Sequence, residues 1–181
     1  MSIGLELGKV VLSSYDEEWK SNFDTEKKNL GEILKGIAIT IEHVGSTAIE
    51  SIKAKPVVDI AVGVKSRKDF EKCAKRFDGL EDYSVKEDNA EDELLVRKGP
   101  ESKRMNFIHI MAIDSDKYKD TIIFRDYMRD NKEAREEYEK LKIELAMKYP
   151  NERKKYTSSK DEYIKKIIKI AKKEGYAPSK P

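Results

Sequence analysis

Cysteine is nearly absent from this sequence. The single thiol, Cys73, has no partner for an internal disulfide, and it stands among Phe70, Ala74 and Phe77 at helical spacing, where a small apolar residue is expected. A disulfide framework is excluded, and Cys73 is assigned no chemistry. Histidine is also scarce: His43 and His109 are the only two, without the tight ligand spacing of a zinc site. No stretch approaches the roughly 18 consecutive apolar residues of a membrane span. The opening MSIGLELGKV lacks the basic start and apolar run of a secretory leader. A cytoplasmic protein with no membrane partner is expected. Neither sign of charge dominates, since 37 Lys and Arg face 35 Asp and Glu, interspersed, for a formal net charge of +2. Duplex nucleic acid needs a clustered basic surface and is not an expected partner. Lys165, Lys166, Lys169, Lys172 and Lys173 are the local exception and read as a solvated helix face.

What remains is a chain of 181 residues, 38% hydrophobic and 40% charged, long enough to close a core under a densely charged skin. One α/β domain is expected over 1–181, with a sheet-containing core over 1–114 and helices over 115–175 packed on it. Residues 16–35 carry Trp19, Phe23, Leu30, Ile33 and Leu34 on one helical face, with Ser14 or Asp16 as N-cap and Gly36 as the stop. Strands are predicted at 37–44, from its alternation, and at 57–64, from its Val-rich apolar run. The second pattern belongs to a strand covered on both faces. A helix follows over 66–77, opened by Ser66 and Asp69. Short strands are predicted at 82–86 and 93–98, separated by the acidic segment EDNAED, and a longer one at 105–112. Helical periods then run over 117–129 and 132–149, and Pro150 ends the second of these. A last helix is capped by Ser158 or Ser159 and carries Tyr163, Ile164, Ile167, Ile168 and Ala171, and the tail GYAPSKP reads as loose.

The chemistry gathers around Val44-Gly45-Ser46-Thr47, at the end of one strand, and Asp59, on the next. Glycine beside a hydroxyl residue lets backbone N–H groups approach phosphate oxygens, and a strand carboxylate can hold the magnesium that bridges them. The same turn also occurs in loops without function. Lys55, ahead of Pro56, is within reach of such a phosphate or is one more surface lysine. Arg125 pairs with Glu42 or Asp59, or binds an anion. His109, on an apolar strand face, is an acid/base group, a ligand or a structural imidazole, and His43 lies beside the turn. Lys160 is a weaker candidate.

Read whole, IEHVGSTAIESIKAKPVVDIAV at 41–62 resembles the signature of the GrpB-like proteins. Further matches follow at 16–19, at NFIHI (106–110), at FRDYMRDN (124–131), at Tyr138 with LKIELA (141–146), and at YTSSKDEYI (156–164). The resemblance spans residues 9–171. It implies a nucleotidyltransferase-like mixed β-sheet flanked by helices, with a helical C-terminal half. It also implies magnesium-dependent transfer from a nucleoside triphosphate, with Asp59 and Glu42 holding metal and His109 as acid/base. Gly45, Ser46, Thr47, His43, Lys55 and Arg125 would then lie on the nucleotide phosphates. Nucleotidyltransferases usually carry a second carboxylate two positions beyond the first on this strand, and here that position is Ala61, so Glu42 or a residue near His109 would have to supply the missing ligand. The alternative is a binding module for a nucleotide or another phosphorylated small molecule. An interaction protein acting through the Lys-rich C-terminal helix ranks third.

Overall fold

Alternation and β-branching place five strands in one mixed sheet in the computed structural model, which describes residues 3–86 and 91–178. β1 (Ala38–Val44), β2 (Val58–Val64), β3 (Tyr83–Val85), β4 (Leu94–Lys98) and β5 (Asn106–Ala112) lie in the order β1-β2-β5-β4-β3. β2 and β5 run parallel, and every other neighbouring pair is antiparallel. The apolar run of β2 fits an interior strand whose two faces are both covered. The strands expected to share a sheet do so. Glu42 lies opposite Ala61, and Ala61 opposite His109, so Glu42, Asp59 and His109 occupy one face.

The other face carries Ile60, Val62, Ile108, Ile110 and Val96 and packs against α1 (Glu18–Ile33) and α2 (Phe70–Arg76). Trp19, Phe23 and Leu30 of α1 are buried as their spacing predicts, and the Asp16 carboxylate accepts from the Glu18 N–H at 3.0 Å. Glu26 on the same helix is only 1% exposed. It accepts hydrogen bonds from Tyr83 Oη at 2.7 Å and Lys98 Nζ at 2.5 Å, which tie α1 to β3 and β4. Cys73 is buried in this layer, and burial pushes its thiol up to about 11, which suits a residue without chemistry.

On the site face, α3 (Asp116–Asp130) lays Tyr118 and Ile122 on Val44, Ala61 and Met111. Tyr118 Oη and Thr40 Oγ1 share a hydrogen bond of 2.7 Å over Gly63, where an added Cβ would lie 2.4 Å from Thr40 Oγ1. Beyond α3 lie α4 (Lys132–Lys148), α5 (Arg153–Ser158) and α6 (Asp161–Lys173). Ile123, Phe124, Tyr127 and Met128 of α3 meet Tyr138 of α4 and Ile167 and Ala171 of α6 in a separate core.

The helix expected over 66–77 is present, opening as a 3₁₀ turn (Arg67–Asp69) that runs into α2, and Ser66 N–H and Oγ donate to Asp69 Oδ2, at 3.2 and 3.3 Å. Other expectations need correction. Neither Ser158 nor Ser159 caps α6: Ser158 is the last residue of α5, and its Oγ donates back to Lys155 O at 3.2 Å. α5 itself has one buried residue, Tyr156, and so lacks the apolar stripe that periodicity detects. The tail is tied as far as Tyr176, whose hydroxyl donates to Asp130 at 2.9 Å. Its residues 179–181, and 87–90 of the acidic segment, lie outside the described residues.

Candidate functional site

The site begins where β1 ends. Gly45 takes φ 68° and ψ −169°, a conformation open in practice to glycine alone, and its backbone rests against Asp59. A Cβ there would lie 2.5 Å from Asp59 Oδ2. The turn is thus held close to the carboxylate that the sequence singles out, and Ser46 and Thr47 follow it in a 3₁₀ turn (Ser46–Ala48).

Asp59 is half-buried, and its Oδ1 lies 3.4 Å from His109 Nε2. The other ring nitrogen, Nδ1, bonds Glu93, and Glu93 Oε2 meets Lys117 Nζ at 2.7 Å. Burial disfavours a charged His109. The hydrogen bonds to Asp59 and Glu93 outweigh it and raise the imidazole to about 9, so both nitrogens donate at neutral pH. Against the same opposition from burial, His109 and Lys117 hold Glu93 down to about 2, and His109 holds Asp59 below its ordinary value. Glu93 is one acid among several in EDNAEDE, and nothing local in the sequence distinguishes it.

A cavity of about 270 Å³ opens beside this pair, lined by Ser46, Thr47, Lys55, Asp59, His109, Arg153 and Lys160 among others. Lys55 and Lys160 lie against the Tyr156 ring, their Nζ atoms 5.1 and 4.6 Å from its centroid. Arg153 stacks over Phe107 at 4.7 Å. None of these three cations is ion-paired with a carboxylate among the described residues, and Arg153 Nη1 is buried with no hydrogen-bond partner. Burial first, then the charges of Arg153 and Lys160, lower Lys55 to about 7. Arg153 carries no motif, and only its position on α5 reveals it.

Other predicted residues are placed elsewhere. Glu42 shares the sheet face of Asp59, but its carboxylate accepts from Arg125 Nη1 at 2.7 Å and lines neither of the cavities that Asp59 lines. Arg125, only 8% exposed, also donates to Asp126 Oδ1 at 2.7 Å and His43 O at 3.1 Å. Its guanidinium is engaged by two carboxylates and a carbonyl and lines neither of the cavities that Asp59 lines. His43 points through the opposite face, stacked on Phe23 at 4.8 Å with its Nε2 3.0 Å from Thr47 Oγ1. Burial, helped by Arg129, lowers it to about 4, so it is neutral. It lines a second cavity, of about 480 Å³, with Tyr15, Arg129 and Arg135, and Thr47 is shared between the two.

This donor set does not fit a two-magnesium clamp. Asp59 is met by an imidazolium, Glu42 by a guanidinium, and the nearest free groups are cations. Among the described residues no cluster of three or more His, Cys, Asp or Glu is arranged to hold a metal.

From the Asp59–His109 pair a wider groove of about 550 Å³ runs between β5, α3 and α6. Ser46, Asp59, His109 and Lys160 line both spaces, whereas Met111, Phe124, Ile164 and Ile168 line the groove alone.

Comparison with known proteins adds to this geometry. The model of a family described as GrpB protein matches residues 9–170. The chain is 35% identical over 170 residues to the Glutamate-rich protein GrpB of Alkalihalophilus pseudofirmus, an alignment covering 92% of this chain and 98% of that one. Against the protein YqkA of Bacillus subtilis the identity is 31% over 169 residues, covering 91% of this chain but 48% of the other. Among solved structures, the conserved protein GrpB from Enterococcus faecalis superposes with a TM-score of 0.81 at 32% identity, covering 91% and 98% of the two chains.

Proposed function

We propose, from the premise that this chain belongs to the GrpB family, that it is a cytoplasmic protein binding a phosphorylated small molecule in the cationic cavity beside Asp59. The observation that carries this reading is the convergence of Lys55, Arg153 and Lys160 on one cavity, with none of the three ion-paired to a carboxylate among the described residues. Three like charges held together repel one another, and a phosphate placed among them would relieve that repulsion. Arg153 offers a fork of donors, Lys55 and Lys160 add point charges held over one aromatic ring, and Ser46 and Thr157 bring hydroxyls. His109 faces Asp59, the one carboxylate in the lining of this cavity, and offsets its charge toward an arriving anion.

Thermal shift and calorimetry with inorganic phosphate, sugar phosphates and nucleoside triphosphates test this, each with and without magnesium. Phosphorylated compounds should raise Tm, and Arg153→Gln should weaken their binding by about tenfold or more. No shift with any of them would sink the reading.

Nucleotidyl transfer from a nucleoside triphosphate is the second reading, favoured by the Gly45–Ser46 turn set against Asp59. It requires Asp59 and Glu42 to exchange their present cations for magnesium. Pyrophosphate release that depends on magnesium and on Asp59 would favour it over simple binding.

A further inference from the structure

The groove beyond Asp59 says what kind of molecule carries the phosphate. α6 bears an apolar stripe at Ile164, Ile167, Ile168 and Ala171, the spacing of one helical face. Ile167 and Ala171 are buried in the seat against α3 and α4, which completes the packing of the helix. Ile164 and Ile168 are only half-buried, and with Met111 and Phe124 they give the groove an apolar wall, while Glu93, Lys117, Asp120, Asp161 and Lys165 supply its charged margin. That wall offers water no hydrogen-bond partner, and covering it with an apolar group is favourable. The groove is no separate surface. Ser46, Asp59, His109 and Lys160 border it and the cationic cavity alike, so a molecule with its phosphate at Arg153 extends past His109 directly onto Ile164 and Ile168.

We infer that the ligand is an amphipathic phosphate monoester, its anion held by Arg153, Lys55 and Lys160 and its aliphatic or aryl group lying along Met111, Phe124, Ile164 and Ile168. This rests on the phosphate-binding reading above and narrows it. Against that wall a nucleobase fits less well than an alkyl or aryl group, because its donors and acceptors find no partner on Met111, Phe124, Ile164 and Ile168.

A homologous series tests it: methyl, butyl and hexyl phosphate, titrated calorimetrically at fixed ionic strength and below their aggregation concentrations, beside adenosine monophosphate. Affinity should rise by about fourfold for each methylene that enters the groove. Ile168→Ser should flatten the rise. Since the series is read first in the unaltered protein, a variant that folds poorly does not remove the test. Equal affinities for methyl and hexyl phosphate would overturn the inference while leaving phosphate binding intact, as would adenosine monophosphate binding more tightly than hexyl phosphate. If no member binds, the phosphate reading and this inference fall together.

Discussion

His43 and His109 sit on opposite faces of the sheet and should titrate in opposite directions. With His109 raised to about 9, the stability it contributes is fully present below its unfolded value near 6.5 and is lost as pH climbs through 9. With His43 lowered to about 4, its contribution is present above about 6.5 and is lost as pH falls through 4. Imidazole NMR resonances recorded from pH 3 to 10 separate the two, and a His109 ring neutral at pH 7 would contradict the double carboxylate contact. Asp59→Asn separates the functional readings at this scale. It removes the one negative charge in the cationic cavity, so phosphate should bind more tightly and the pKa of His109 should drop. If Asp59 instead holds magnesium for nucleotidyl transfer, the same change weakens nucleotide binding and abolishes pyrophosphate release. Gly45→Ala should cost about 1–3 kcal/mol in urea denaturation for the backbone conformation alone, with Asp59 displaced by the added methyl.

Among elements, α1 is secured to the far strands by a buried charge. Lys98→Met would leave the Glu26 carboxylate without its cation in a fully packed layer and should cost on the order of 3–5 kcal/mol; Glu26→Gln on the same background should recover much of the loss. Urea midpoints of the two variants measure it. Glu26 also shows how far the sequence could be read. Trp19, Phe23 and Leu30 announce α1 by their spacing, and the alternation of β1 and the Val run of β2 announce those strands. A glutamate on the buried face breaks the same pattern, and only the arrival of Tyr83 and Lys98 from elsewhere in the chain accounts for it. The site divides in the same way. Asp59, His109, Lys55 and the Gly45–Ser46 turn were legible from local chemistry and from resemblance. Arg153 and Glu93 were not, because neither stands in a motif and each is brought in by tertiary packing. The Arg125–Glu42 pair is one of the alternatives open in the sequence, whereas sharing a strand face does not by itself carry the long Glu42 side chain to the cavity beside Asp59.

Across the whole molecule, the sheet is clad by α1 and α2 on one side and by α3 on the other, and the candidate site lies at the uncovered end of the second side. Its electrostatics are those of a partly buried cavity, so phosphate affinity should decline with salt, but less steeply than for exposed lysines. Lys55, lowered to about 7 by burial and the neighbouring cations, should be driven back to its charged form by a bound dianion. Binding at pH 7 should then take up about half a proton, read from calorimetry in buffers of different ionisation enthalpy, and affinity should fall as pH rises through 7. Lys55→Gln should abolish the uptake.

The parallel pairing of β2 with β5 also sets a schedule for assembly. Asp59 and His109 are 50 positions apart, and the strands that carry them can pair only after the chain between them has made its crossover through α2, β3 and β4. Closing so long a loop spends entropy before any contact returns it, which slows folding relative to the local helices. Competence to bind is therefore among the last properties the nascent chain acquires, and in stopped-flow refolding the recovery of phosphate binding should follow the slowest folding phase rather than the early rise in helicity.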